Sequence, residues 1–213
     1  MSINLSNNRS VGFRACRSIR TVGRLLFAVT ILVVLEFSAA FANPDVWVQT
    51  GMTFRFEDGK VTGVSYDWAF DEFFSSRTIA SFDANGDGEL EPAETVRLRR
   101  EAFDPLAEFS YFVHVWEGDQ KRNELEIESF GADVDEGLLV YRFTVALSPP
   151  VDPVADEIIA SLHDESIFVD FRFREKEFLL VEGTMDPGCK FRIARGRGAQ
   201  SGHRQAVSLY CGG

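Results

Sequence analysis

The sequence predicts an α+β protein: an antiparallel, β-rich, sandwich-like body with one helix-loop-helix of EF-hand type inserted into it. Three observations carry that prediction. Short apolar stretches alternating with polar residues recur between Gly, Pro and Asp turns, the pattern of a many-stranded sheet. Aromatic residues make up 13% of the 213-residue chain and 20 of them are Phe, which is enough apolar area to fill a core and exclude general disorder. Residues 83–94, Asp-Ala-Asn-Gly-Asp-Gly-Glu-Leu-Glu-Pro-Ala-Glu, satisfy every fixed position of the template Asp-x-Asp/Asn-x-Asp/Asn-Gly-x5-Glu, the EF-hand calcium loop.

Residues 1–42 read as a signal peptide rather than as fold. Arg9, Arg14, Arg17, Arg20 and Arg24 form a positive n-region. The uncharged apolar run 25–35 is too short to span hydrocarbon of about 30 Å as a helix. Ala40-Phe41-Ala42 then supplies a small-x-small cleavage site, so the mature chain is expected to begin at Asn43, periplasmic or secreted, with no stable membrane span. An uncleaved anchor, extended by residues 37–42, is the competing reading. Cys16 precedes the apolar run and is not placed for lipid attachment. Residues 1–42 hold five of the 22 basic and one of the 33 acidic side chains, so the mature part keeps 17 and 32, a net charge of −15. Such a balance argues against nucleic acid and anionic membranes as partners and suits a protein that attracts cations.

The β-rich domain is expected over 43–195, with the EF-hand inserted at about 71–104. Along residues 46–56, Met52, Phe54 and Phe56 alternate with Thr53 and Arg55; Asp58-Gly59 makes a tight turn, and Val64, Tyr66 and Trp68 share a face on the return strand 61–68. Asp71 then caps a helix whose apolar side is Phe74, Ile79 and Phe82. Pro92 opens an exit helix with Val96 and Phe103 on one face and Arg97, Arg99 and Arg100 in water, stopping at Asp104-Pro105.

Calcium takes six to eight oxygens, so alternate residues of a curled loop must point inward. Asp83, Asn85 and Asp87 supply side chains, Glu89 its backbone carbonyl, Glu91 a position often bridged by water, and Glu94 both carboxylate oxygens. Gly88 allows the sharp turn. The other acidic loop, Asp133-Val134-Asp135-Glu136-Gly137, lacks the sixth-position Gly and the twelfth-position Glu, so the hand is single. A single hand in millimolar external calcium is expected to brace rather than switch.

Further strands are expected at 112–116, 124–130, 138–147, 158–162, 167–173, 178–181 and 191–194, with Pro149, Pro150 and Pro153 breaking the chain between two of them. Cys189 and Cys211, the cysteines left after cleavage, are expected to form a disulfide stapling a Gly-rich tail, 196–213, worth about 3 kcal/mol. His114 lies within an apolar strand, His163 before Asp164 at a turn, and His203 in the tail, none spaced as a metal ligand. No Gly-x-Ser-x-Gly elbow is present, and no catalytic constellation emerges. A hydrolase would need a pocket gathering His114 or His163 with acids.

Three segments carry a family likeness: Pro44-x-Val46-Trp47-Val48, then Trp68-x-Phe70-Asp71-Glu72-x-x-Ser75 with the Asp-x-Asn-x-Asp-Gly loop, and the aromatic-rich stretch 164–171. Over about 43–195 the chain resembles an uncharacterised family of exported bacterial proteins labelled the periplasmic component of an ABC-type transport system, often encoded near nickel/cobalt permeases. The resemblance implies envelope location, a link to solute or metal uptake, and an inner-membrane permease or envelope protein as partner. That family commonly begins with His-Pro-His, where this chain has Asn43-Pro44-Asp45, so the resemblance carries no N-terminal transition-metal site here. The expected function is therefore a non-enzymatic, calcium-binding accessory or solute/metal-binding component of envelope transport; the alternative is a structural or protein-interaction module of the envelope.

Overall fold

The first hairpin forms where the alternation places it, β1 (Val46–Glu57) returning as β2 (Lys60–Phe70). In the computed structural model, which describes residues 45–166, 168–195 and 205–212, Asp58 and Gly59 carry φ of 50° and 76°. Two positive φ angles make the mirror-image turn whose twist matches the strands it joins. Helix α1 (Glu72–Phe82) follows at once, and a loop leads to the short helix α2 (Pro92–Leu98). One π-helical turn over Arg99–Phe103 and 3-10 turns over Asp104–Phe112 bring the chain to β3 (Val113–Glu117). The exit helix is thus shorter than expected. Val96 is exposed, and Leu98 takes its expected place beside Phe103 in the core.

The rest is strand: β4 (Gln120–Lys121), β5 (Glu126–Asp135), β6 (Leu138–Val151), β7 (Ile158–Leu162), β8 (Val169–Phe173), β9 (Leu179–Glu182), β10 (Cys189–Arg195) and β11 (Gln205–Cys211). One sheet runs β5-β6-β2-β1-β8, with β9 also paired to β1; the other runs β10-β11-β7-β3-β4. Their buried side chains join in one core within the compact unit Asn43–Gly213. The described residues are α+β, mostly antiparallel sheet with two α-helices.

Three details depart from expectation. β8 and β9 pair with β1 in parallel, because β7 in the other sheet precedes them and the chain arrives by a crossover, not a hairpin. Pro149 and Pro150 lie inside β6 rather than ending it. β5 accompanies β6 only as far as Ala146; beyond it no described strand pairs with that edge, where Arg122 donates to the Ser148 and Pro149 carbonyls and proline costs the ladder nothing. The segment expected as tail contributes β11, which lies between β10 and β7 and buries Ala206, Val207, Ser208 and Leu209. Cys189 stands opposite Cys211 across that pair and is disulfide-bonded to it. The cleavage site, Asn43-Pro44 and His203 lie outside the described residues, among which no helix is long and apolar enough to cross a membrane.

Trp68 sits near the middle of the core, its ring centroid 4.8 Å from Phe143, 5.0 Å from Phe171 and 6.4 Å from Phe112. Tyr66 is buried too, and its hydroxyl has no hydrogen-bond partner among the described residues. Burial raises its pKa well above the ordinary tyrosine value. An unpaired buried hydroxyl costs about 1–3 kcal/mol. Tyr66→Phe is therefore expected to leave stability unchanged or increase it by about 1 kcal/mol. Urea unfolding checks this, and a marked loss of stability would mean the hydroxyl is paired after all.

Candidate metal centre

The segment Trp68-Ala69-Phe70-Asp71-Glu72 with Ser75 is a joint between sheet and helix. Asp71 caps α1 by accepting from the Phe73 and Phe74 amides through Oδ1, at 2.9 and 3.0 Å. Its Oδ2 accepts from the Trp47 amide of β1 at 2.9 Å, while its own amide donates to the Trp47 carbonyl. One carboxylate thereby fixes helix start and strand start together. Ser75, fully buried, donates from Oγ to the Phe70 carbonyl and accepts the Leu139 amide of β6 at 3.0 Å. Phe70 stacks on Phe74 at 4.6 Å and meets Tyr141 edge-on at 4.8 Å. On the far side, Arg97 of α2 donates to the Ser81 carbonyl and lies over the Phe82 ring, tying the two helices.

Between these anchors the acidic side chains accept backbone amides of their own loop. Asp83 accepts the Gly86 amide on Oδ1 at 2.6 Å and the Gly88 amide on Oδ2 at 2.8 Å. Asn85 Oδ1 accepts the Asp87 amide, and Asp87 Oδ1 accepts the Glu89 amide, both at 2.9 Å. Gly86 and Gly88 have φ of 76° and 86°, a left-handed backbone that a side chain would strain. At the end of the loop Glu94 accepts from the Ala84 amide (2.6 Å) and the Glu91 amide (3.0 Å), joining both ends of the ring. The Asn85 amide group donates to Asp87 and Glu91 at 2.8 and 2.6 Å.

Electrostatics follow from that crowding. Glu91 holds its proton above the ordinary glutamate range, chiefly because its carboxyl hydrogen-bonds the Glu94 carboxyl, with desolvation and the Asp87 charge adding to it. Glu94 is held below that range, first by the same hydrogen bond and then by the Ala84 amide. Asp87 is held low by the Glu89 amide and the Asn85 side chain. The donor set is all oxygen, from carboxylates and carbonyls, which suits a hard divalent cation and not a thiophilic one. As they stand, no three His, Cys, Asp or Glu side chains among the described residues converge into a ready metal shell. Asn85 turns its nitrogen between two of the acids, so ligation requires that amide to rotate away.

Elsewhere the fold assembles something the linear pattern does not reveal. His114 of β3 and His163, just beyond β7, are buried and stacked, with ring centroids 3.7 Å apart. They border a cleft of about 330 Å3 together with Glu108, Asp164 and Glu165. Separated by 49 positions, they meet because β3 and β7 pair, and only that pairing could have announced them.

Residues 28–212 match the family described as "Protein of unknown function (DUF1007)". The chain is also similar to an "Uncharacterized 15.5 kDa protein in trpE 3'region" of Spirochaeta aurantia. The two are 28% identical over 97 residues, which is 46% of this chain and 69% of the relative.

Proposed function

The chain belongs to the DUF1007 family of proteins of unknown function, and we propose that it is an exported calcium-binding protein acting as an accessory or solute-binding component of an envelope transport system. Calcium braces an EF-hand formed by α1, the loop and α2, and Asp83, Asn85, Asp87, the Glu89 carbonyl, Glu91 and Glu94 hold it. The observation that carries this reading is the ring of carboxylate and amide oxygens pre-ordered by backbone N–H groups of the same loop. Support for transport comes from the resemblance over 43–195, and for export from the 1–42 pattern. Because Asp71 ties the start of the insert to β1 and Arg97 ties its two helices together, the bound ion is expected to stiffen a joint.

The experiment is calcium titration of the mature chain by calorimetry, with metal analysis of the purified protein. Expected are one calcium per chain and a higher melting temperature in calcium than in chelator. Stoichiometric nickel, cobalt or zinc in addition would favour the transport role, and no calcium binding would sink the proposal. A second reading, a protein-interaction module, is favoured by exposed Trp47 and Phe73 and by a largely apolar cleft of about 460 Å3 that Phe73, Phe74 and Phe82 line. Growth of a deletion strain under transition-metal limitation separates the two.

The loop's titration gives a sign to test. Glu91, with its raised value, stabilises the fold while protonated, and that contribution fades as pH rises through the raised value. Glu94 and Asp87, with lowered values, contribute above the ordinary carboxylate range and lose that contribution as pH falls through their lowered values. Calcium needs all three ionised. Binding in mildly acidic buffer is expected to release a proton from Glu91, and the release is expected to vanish at higher pH and in Glu91→Gln. Calorimetry in buffers of different ionisation enthalpy measures it.

A further inference from the structure

Three successive residues without glycine's freedom, Ser110, Tyr111 and Phe112, carry φ of 53°, 52° and 53°. A left-handed run of this kind is costly for L-residues and persists only where the surroundings enforce it. Here it swings Phe112 under the core edge, 5.7 Å from Phe171, with its carbonyl accepting the His163 amide at 3.0 Å. Phe109, largely exposed, stacks on Phe112 at 5.8 Å. The turn thus lays two aromatic faces beside the stacked imidazoles, and the space between them is the cleft of about 330 Å3, the size of a small organic solute.

Its charges are unbalanced. Asp164 is consumed by its own turn, accepting the amides of Ser166, Phe168 and Val169 and the Ser166 hydroxyl. Glu108 and Glu165 also border the cleft, both exposed, and neither forms an ion pair with any described residue. The cleft's one lysine, Lys121, is turned over the Trp116 ring, 5.8 Å from its centroid. Two carboxylates and two aromatic faces complement a cation with an apolar body, by charge-assisted hydrogen bonds and by attraction to the ring faces. The histidines are poorly placed to chelate a metal together. Their rings lie 18° from parallel, and a shared ion would sit out of both ring planes.

We propose that this cleft binds a small organic ammonium with an aromatic or alkyl body, Glu108 and Glu165 holding the charge and Phe109 and Phe112 the apolar part. The inference rests on the reading above only in treating the ligand as a transported solute; the binding itself does not involve the calcium loop. The test titrates the mature protein with 2-phenylethylamine, with phenylacetate and with zinc chloride, in calcium and again in chelator, following the ring protons of His114 and His163 by NMR. The amine is expected to bind once per chain, shift both histidines and lose at least tenfold in affinity in the Glu108→Gln/Glu165→Gln variant. Phenylacetate is expected to leave the histidines unmoved. Equal binding of phenylacetate, unchanged amine affinity in the variant, or zinc displacing the amine would each overturn the proposal. Because calcium uptake is read separately in the same samples, loss of amine binding leaves the calcium reading standing, and the converse also holds.

Discussion

Glu94→Gln is expected to abolish most of the rise in melting temperature that calcium produces. In the native chain, millimolar calcium acting on a site with a Kd of about 0.1 mM adds about 1.4 kcal/mol by mass action. For a chain of this size that is a rise of about 3–6 °C. Glutamine removes one of the two oxygens that Glu94 offers, along with its charge. It also turns an NH2 group toward either the Ala84 or the Glu91 amide, which now donate one to each oxygen. Glu89→Gln is the control. Glu89 is assigned to calcium through its main-chain carbonyl, so its variant should keep the full response. Scanning calorimetry in calcium and in chelator decides the matter. Identical native curves in the two would remove the calcium brace altogether.

Trp68→Ala is expected to be the most damaging single core substitution, lowering stability by about 3–5 kcal/mol. The ring meets aromatic side chains from β2, β6, β8 and the left-handed turn, so its loss opens a cavity that several elements line. The buried indole Nε1 has no hydrogen-bond partner among the described residues, and removing this desolvated donor tempers the loss. The lower half of the range is therefore expected. Trp68→Phe keeps most of the area and drops that donor, so it should cost less. A cost below about 1 kcal/mol for the alanine variant would mean the neighbours collapse into the space.

Local pattern made much of this architecture readable. Met52, Phe54, Val64, Tyr66 and Trp68 face the core as alternation requires, and Asp58-Gly59 turns between them because two positive φ angles suit that pair. Asp71 was identifiable as a cap, since a short acidic side chain before an apolar-periodic run does little else so well. Its second bond, to the Trp47 amide, was not legible, because nothing in the chain between them fixes that separation in space. The same limit hid the stacked histidines and the parallel seat of β8 and β9. β11 was missed for another reason. Residues 196–203 hold three glycines, and they masked the alternation of Val207 and Leu209 that follows. The positions of the loop's acids were legible because the template is local. Their pairing, which raises the Glu91 pKa through its hydrogen bond to Glu94, depends on how closely the loop brings them together.

The parallel seating of β8 and β9 on β1 also orders events in time. β1 meets β2 across a two-residue turn and can pair as soon as both have been made. Its other edge waits for residues 169–182, more than a hundred positions later. Contacts that distant are slow to form, and a chain emerging N-terminus first holds this edge open for most of its synthesis. That open edge is Trp47-Val48-Gln49-Thr50 and its continuation, an apolar strand able to pair with another copy. A chain kept unfolded or escorted until its C-terminal third is available avoids that error, so two strands made late, β8 and β9, determine whether the first folds correctly.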